Sequence, residues 1–340
     1  MMVYCQMRVH NRSSLRFATK IALVLVFAAG VFLAAEAPPE WAYGTQPTAS
    51  AATQDKRRPH AAPDNGMQHL SGSTLEFTRA QINDRFGAAD WFPGDHPEMP
   101  EIVAHGRKPQ IWACSLCHYP NGKGRSENAG VSGLPVSYFI HQINDFKNGL
   151  RTSANVRKKN TNLMIAIAKA MTDDEVKAAA DYFGAMKWTP WIKVVETESV
   201  PKTRISVGMF LPLEGGGKEP IGQRIIEVPK DTNATEVLRN PRSGFIAYVP
   251  VGSIEKGKAL VTTGASKTVR CAMCHGIDLN GLGPVPGIAG RSPSYLVRQM
   301  YDMQQGSRKG EWTDLMKPVV NGLSEEDMLN IAAYVSSRTP

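Results

Sequence analysis

Cys114-Ser115-Leu116-Cys117-His118 and Cys271-Ala272-Met273-Cys274-His275 decide how this chain is read. In each, two thiols stand three positions apart and an imidazole follows directly. That spacing lets the sulfurs add to the two vinyl groups of haem while the ring reaches the iron. One such pentapeptide is a moderate signal, and two in one chain are a strong one. They use four of the five cysteines, leaving Cys5. Five cysteines in 340 residues exclude a disulfide scaffold, because cross-linked secreted folds are short and cysteine-dense. Two C-x-x-C pairs are also a zinc pattern. The histidine placed directly behind each pair favours haem.

The pentapeptides head an internal repeat. Sliding residues 114–151 onto 271–308 without a gap gives twelve identities in 38 positions. Nine lie beyond the motifs: Gly124, Gly130, Gly133, Ser137, Tyr138, Gln142, Asp145, Gly149 and Arg151 meet Gly281, Gly287, Gly290, Ser294, Tyr295, Gln299, Asp302, Gly306 and Arg308. Duplication of one haem-binding segment explains this most simply. Ser292-Pro293 suits a helix N-terminus and Gly306 a left-handed stop, so a helix is expected over Pro293–Gln305, with its counterpart at Val136–Asn148. Each copy then ends in a second helix. Thr172 with Glu175 and Ser324 with Asp327 form capping boxes, followed by Val176, Ala179, Ala180 and Phe183 in one copy and Met328, Ile331, Ala332 and Val335 in the other. Both copies read as small helical domains.

A low-spin electron-transfer haem needs a second axial ligand, commonly a methionine sulfur or another histidine. The chain has 14 methionines, and a methionine at helical spacing is usually core filler. The repeat discriminates among them. After Arg151 and Arg308 the register shifts by five residues, and Leu163-Met164 falls on Leu315-Met316, each Met eight residues before its capping residue. Met171 falls on Leu323, Met186 on Arg338, Met328 on Val176, Met300 on Ile143 and Met303 on Phe146. The expected axial pairs are therefore His118/Met164 and His275/Met316. His105 and His141 have no histidine counterpart and read as structural or surface residues.

Residues 1–20 carry only basic charges, Arg8, Arg12, Arg16 and Lys20; fifteen uncharged, mostly apolar residues follow from Ile21 to Ala35, and then Ala35-Glu36-Ala37. This is the layout of a secretory signal peptide over residues 1–37, shorter than the roughly 20 apolar residues of a bilayer span. Pro38 is an awkward first mature residue, so a cut after Ala35 or an uncleaved anchor stays open, and membrane attachment is expected only for the anchor. The expected location is the periplasm. Residues 38–73, rich in Pro, Ala, Thr, Ser and Gln and carrying Lys56-Arg57-Arg58, read as a flexible linker. The 39 Lys and Arg outnumber the 31 Asp and Glu by eight, which invites a nucleic-acid reading. Cleavage lowers the net charge to +5, and four haem propionates leave about +1 in the reduced state. No nucleic-acid partner is expected.

Residues 188–252 hold strand-like runs, Ile192–Thr197, Arg204–Phe210, Arg224–Val228 and Phe245–Val249, separated by Pro201, Gly215-Gly216-Gly217, Pro229 and Pro241. The triple glycine lacks the following Gly-Lys-Ser/Thr of a phosphate loop. A β-rich connector is expected, with a docking surface as the alternative. Basic residues stand ahead of each methionine, Arg157-Lys158-Lys159 and Arg308-Lys309, and read as solvated loops or as a surface that steers an acidic partner.

On these residues the chain resembles the c-type cytochromes built from two class I domains in tandem, over about 101–187 and 253–337. The resemblance implies a mainly α fold, with cytochrome c domain 1 at 74–187, the connector at 188–252 and domain 2 at 253–340. It further implies two covalently bound haem c groups held by Cys114, Cys117, His118, Cys271, Cys274 and His275. Single-electron transfer between redox protein partners is the expected activity, with no catalytic residues. The second copy fits better: Gly281-Leu282-Gly283-Pro284 matches the family's loop in which a proline carbonyl holds the ligand imidazole, whereas Glu127 stands where Pro284 does. The two haems are therefore expected to differ in potential. The alternatives are a cytochrome subunit of a membrane-associated dehydrogenase or oxidase complex, and a two-haem peroxidase, which needs an open iron position that a methionine in both copies disfavours.

Overall fold

The computed structural model describes residues 37–45 and 66–340. The export segment, Cys5 and the Lys56-Arg57-Arg58 run lie outside the described residues, Ala37 excepted. Helix α1 (Glu40–Tyr43) comes first, followed by an antiparallel pair, β1 (Met67–His69) and β2 (Glu76–Thr78). In the first copy, α2 (Cys114–His118) carries the attachment motif, and α3 (Val136–Lys147), α4 (Lys159–Ala170) and α5 (Asp173–Gly184) enclose a core. In the second, α6 (Ser253–Thr263) precedes α7 (Ala272–His275), α8 (Pro293–Gln304), α9 (Glu311–Val320) and α10 (Glu325–Ser337). The sequence signals act as their chemistry requires. The Ser292 hydroxyl accepts the Tyr295 amide at the start of α8, and Gly149 and Gly306 take φ +71° and +70° just past α3 and α8. Thr172 and Ser324 close reciprocal capping boxes with Glu175 and Asp327.

Apolar spacing sets the packing. Phe139, Ile143 and Phe146 of α3 meet Ile167 of α4 and Val176, Ala180 and Phe183 of α5. In the second copy, Leu260 and Val261 of α6 and Val297 of α8 meet Met328, Ile331 and Ala332 of α10. Helices α6 and α10 approach closely at Gly257: a β-carbon there would lie 1.9 Å from the Asn330 carbonyl oxygen. The first copy reduces the equivalent of α6 to one turn, Glu101–Ala104, with Pro100 at its N-cap and Pro97 just before it. Proline has no amide to donate, so a longer helix cannot be built through these positions.

Two expectations change. The start of the linker is packed, not flexible: Ala42 and Tyr43 are fully buried against α8, the Tyr43 hydroxyl donates to Asp302 Oδ1 at 2.7 Å, and Arg298 donates to the Ala42 carbonyl at 2.6 Å. Average composition hid the apolar group Trp41-Ala42-Tyr43. The expected single strand at 204–210 is a hairpin, Thr203–Ser206 paired with Met209–Pro212, because Val207 and Gly208 take φ +52° and +90° and turn the chain. On either side of the hairpin in sequence, β3 (Ile192–Glu196), β4 (Ile226–Pro229) and β5 (Phe245–Val249) form a sheet in the order β3-β5-β4, with β3 parallel and β4 antiparallel to β5. The described residues from 38 onward form one compact unit, in which the sheet packs Ile192, Val194, Ala247 and Val249 into the core of the second copy.

The copies meet across a pseudo-twofold seam. Arg151 and Arg308 face each other in an antiparallel bridge, flanked by Thr152 N–H to Ser307 O at 2.8 Å and Lys309 N–H to Leu150 O at 2.6 Å. The Arg151 guanidinium donates to Gln142, Tyr295 and Gln299 at 2.9, 3.0 and 2.8 Å, and Arg308 to Gln299, Tyr138 and Gln142 at 2.9, 2.8 and 2.7 Å. Tyr138, Gln142 and Asp145 stand at i, i+4 and i+7, one face of α3, and their counterparts share one face of α8. Much of the repeat's identity beyond the haem loop is therefore a self-complementary interface.

Candidate functional site

A single helical turn explains the pentapeptide. Positions i, i+3 and i+4 fall on one side of α2, so Cys114, Cys117 and His118 all face one cavity. His118 Nδ1 donates to the Ala129 carbonyl at 2.8 Å, and His275 Nδ1 to the Pro286 carbonyl at 2.8 Å. A carbonyl only accepts, so each Nδ1 carries the proton and each Nε2 keeps its lone pair for a metal. Burial pushes both imidazoles below their ordinary pKa and holds them neutral, as an axial ligand must be.

This contact corrects the expectation that rested on Pro284. The acceptor is Pro286, and the repeat places Ala129 opposite it. The contact uses a main-chain carbonyl, so it survives the exchange of proline for alanine, and Glu127 in place of Pro284 does not disturb it. Glu127 is instead buried against Arg125, 2.6 Å between Oε1 and the guanidinium.

The cavity of the first copy has two ends. Phe139, Ile143, Phe146, Ile167 and Phe183 line an apolar wall, and Gln142, Arg151, Lys158, Tyr295, Arg298 and Gln299 form a polar end at the seam. An apolar macrocycle with two carboxylates at one edge matches that division. A lysine ammonium with no hydrogen-bond partner, Lys158 Nζ, stands at the polar end. Met164, midway along α4, lines the same cavity, and so does Met171 at the C-terminal end of α4. In the second copy, Cys271 and Met316 pack against the core that includes α8 and α10, and His275 is buried. Neither His105 nor His141 lines the cavity: His105 Nδ1 bonds the Phe86 carbonyl, and His141 meets the edge of Trp312.

Desolvation raises the Cys114 and Cys271 thiols to about 12 and about 11, so neither is a free thiolate nucleophile. Among the described residues, no three His, Cys, Asp or Glu side chains gather as a metal-binding group, and the two cysteine pairs do not form a shared zinc set. The basic runs are only partly solvent-facing. Lys158 and Arg308 are 5% and 4% exposed, which corrects their reading as surface charge. Sequence reasoning missed the seam role of Tyr138, Gln142 and Arg151. Its available signal was polar identity on one helix face, which a haem loop alone does not require.

The attachment turns differ in cover. Ser115 and Leu116 are buried, and Arg239, from the segment after β4, donates to the Leu116 carbonyl. In the second copy, Cys274 is exposed, and Met273, Ile277, Leu282 and Leu315 are 59%, 89%, 60% and 69% exposed.

The cytochrome c family model matches residues 254–339. Cytochrome c-554(548) of Halomonas halodenitrificans is 43% identical over 76 residues, covering 22% of this chain and 92% of that protein. A thiosulfate dehydrogenase electron acceptor of Stutzerimonas stutzeri is 24% identical over 68% of this chain and 82% of its own length. Among solved structures, a thiosulfate dehydrogenase (TsdBA) of Marichromatium purpuratum aligns with a TM-score of 0.46 and 24% identity over 70% of this chain, which spans 39% of that one. The second copy thus carries a cytochrome c domain and the first repeats its attachment chemistry, so the chain belongs to the c-type cytochromes, in a two-domain form.

Proposed function

We propose that this protein is a periplasmic two-haem electron carrier. Cys114, Cys117, His118 and Met164 hold one haem c, and Cys271, Cys274, His275 and Met316 hold the other. The repeated His Nδ1 to carbonyl contact at equivalent positions carries this reading, because it fixes ring orientation and leaves a metal-facing nitrogen twice in one chain. Bound haem supplies one-electron chemistry at iron. The chain's own part is to fix the rings, exclude water from the macrocycle and hold the haem carboxylates at the seam.

The redox partner in this reading is a dehydrogenase, in line with the Stutzerimonas relative, a thiosulfate dehydrogenase electron acceptor, and the chain itself contributes no catalytic residue. The exposed apolar rim around Cys274 is the face that partner meets, since the first copy's attachment turn is covered by Arg239. Among the described residues, no helix is long and apolar enough to cross a membrane. The test is a haem count by pyridine haemochrome with near-infrared spectra of the ferric protein. Two haems per chain are expected, with half of the Met-to-iron charge-transfer band lost in Met164→Ala and half in Met316→Ala. An unchanged band in Met164→Ala, with loss in Met171→Ala, would move the first ligand to Met171.

A further inference from the structure

Lys158 caps the N-terminus of α4, and its side chain turns inward to line the first copy's cavity. It is 5% exposed, and its Nζ has no hydrogen-bond partner. The hairpin tip at Gly208 closes over it: a β-carbon built there would lie 3.4 Å from Nζ, and Gly44 packs against the Gly208 carbonyl from the other side. The charged and titratable groups around it are Glu127 from the loop after α2, Arg298 and Asp302 from α8, Tyr43 from α1, and its neighbours Arg157 and Lys159. Arg298 is already committed to the Ala42 and Ser126 carbonyls, and Asp302 to the Tyr43 hydroxyl and the Ala154 amide. A buried ammonium without a partner is costly unless an anion enters beside it.

The second copy has no such group. In the register that aligns Met164 with Met316, Lys158 falls on Gly310, and Gly310 closes directly on Asp145, the counterpart of Asp302. The seam is symmetric in its arginines, glutamines and tyrosines and breaks symmetry here.

We infer that Lys158 is the charge partner of a haem carboxylate in the first centre, and that it couples reduction of that haem to uptake of a proton. This rests on the two-haem reading above. One electron arrives from the redox partner and converts ferric to ferrous iron; one proton arrives from solvent and converts the Lys158 amine to ammonium, so the centre's net charge is unchanged. The direction follows from electrostatics. Burial lowers Lys158 to about 7, with Arg298 adding to the depression and Glu127 and Asp302 opposing it. A haem carboxylate raises it again, and the extra positive charge of ferric iron lowers it. The lysine therefore binds its proton more tightly when the haem is reduced, and the midpoint potential of that haem falls as pH rises between the two values.

The experiment is a spectropotentiometric titration of the holoprotein from pH 5.5 to 10, on wild type, Lys158→Met and Lys158→Arg. In wild type, one of the two midpoints is expected to fall with pH, and it is this midpoint that changes in the variants. Lys158→Met should be flat in pH at the wild type's alkaline value, and Lys158→Arg flat at its acid value. Two flat midpoints in wild type, or a slope that survives in both variants, overturn the inference. A slope lost in Asp302→Asn and kept in Lys158→Met also overturns it, by assigning the proton to Asp302. Failure of the two-haem reading is distinguishable, because it would appear first as a haem count below two in wild type.

Discussion

The two copies start from one sequence plan and are stabilised differently. The second is closed by its own chain: α6 crosses α10 at Gly257, and its attachment turn is open to solvent. The first has lost most of that crossing helix to Pro97 and Pro100, and its cover comes from elsewhere. Residues after β4 supply Arg239 to the attachment turn, the hairpin 203–212 closes over Lys158, and Arg107 reaches Glu175 from outside the core. A duplicated domain can give up a helix when neighbouring chain replaces the surface it covered.

The strongest way to break the comparison is to remove the attachment thiols of one copy at a time. Cys114→Ala/Cys117→Ala and Cys271→Ala/Cys274→Ala should each halve the haemochrome absorbance. The first pair should lower the thermal midpoint further, because its cavity extends to Tyr295, Arg298 and Gln299 across the seam and holds a cation without a partner. Equal losses of thermal stability would show that the seam does not depend on the first haem.

Next in size is the seam. Arg151→Met and Arg308→Met each remove three guanidinium hydrogen bonds and leave one phenol, Tyr295 or Tyr138, without that donor, while the remaining arginine still reaches both Gln142 and Gln299, and each should cost roughly 3 kcal/mol in denaturant unfolding. The pseudo-twofold demands near-equal values, and a double variant that costs much less than the sum would show the two arginines acting as one network. A smaller loss is expected at Gly257→Ala. Helix propensity gains about 1 kcal/mol, but the β-carbon meets a backbone carbonyl that cannot swing aside, so overpacking wins by about 2 kcal/mol. The loss should be confined to the second copy, read by hydrogen exchange in α6 and α10.

What was legible in the sequence follows from the range of the forces involved. Attachment turns, capping boxes and the apolar faces of α3, α5, α8 and α10 depend on residues within one or two helical turns, and the repeat doubled each signal. The seam was visible as identity but not as contact, because Tyr138, Gln142 and Arg151 acquire their cross-seam partners only when a segment some 150 residues away folds beside them. Lys158 looked like part of a solvated charge run for the same reason: its burial is set by Gly208 and Gly44. The imidazole contact was expected at the carbonyl of Pro284, and the chain makes it two residues further on, at the carbonyl of Pro286.

The smallest predicted effect tests the equivalence of the copies at the start of α5 and α10. Glu175 and Asp327 occupy the same capping position, 152 residues apart in the shifted register, and each also binds a cation, Arg107 at 2.7 Å and Lys267 at 2.9 Å. Hydrogen bonds from Arg107 and the Thr172 amide hold the Glu175 carboxyl below its ordinary range. At Asp327, burial opposes the shift, but Lys267 and the Ser324 amide and hydroxyl outweigh it and lower the carboxyl too. A carboxylate with a depressed folded-state pKa stabilises above its unfolded value and loses that contribution as pH falls through the folded one. Both helices should therefore weaken below about pH 4. Glu175→Gln and Asp327→Asn should each flatten part of the decline in urea midpoint between pH 5 and pH 2.5. Arg107 and Lys267 are half exposed, so salt screens both pairs, and the decline should shrink further in 0.5 M salt, where the screening length is less than half of its roughly 10 Å at 0.1 M. A decline untouched by both variants would place acid sensitivity elsewhere and remove the capping carboxylates from the features the copies share in function as well as in form.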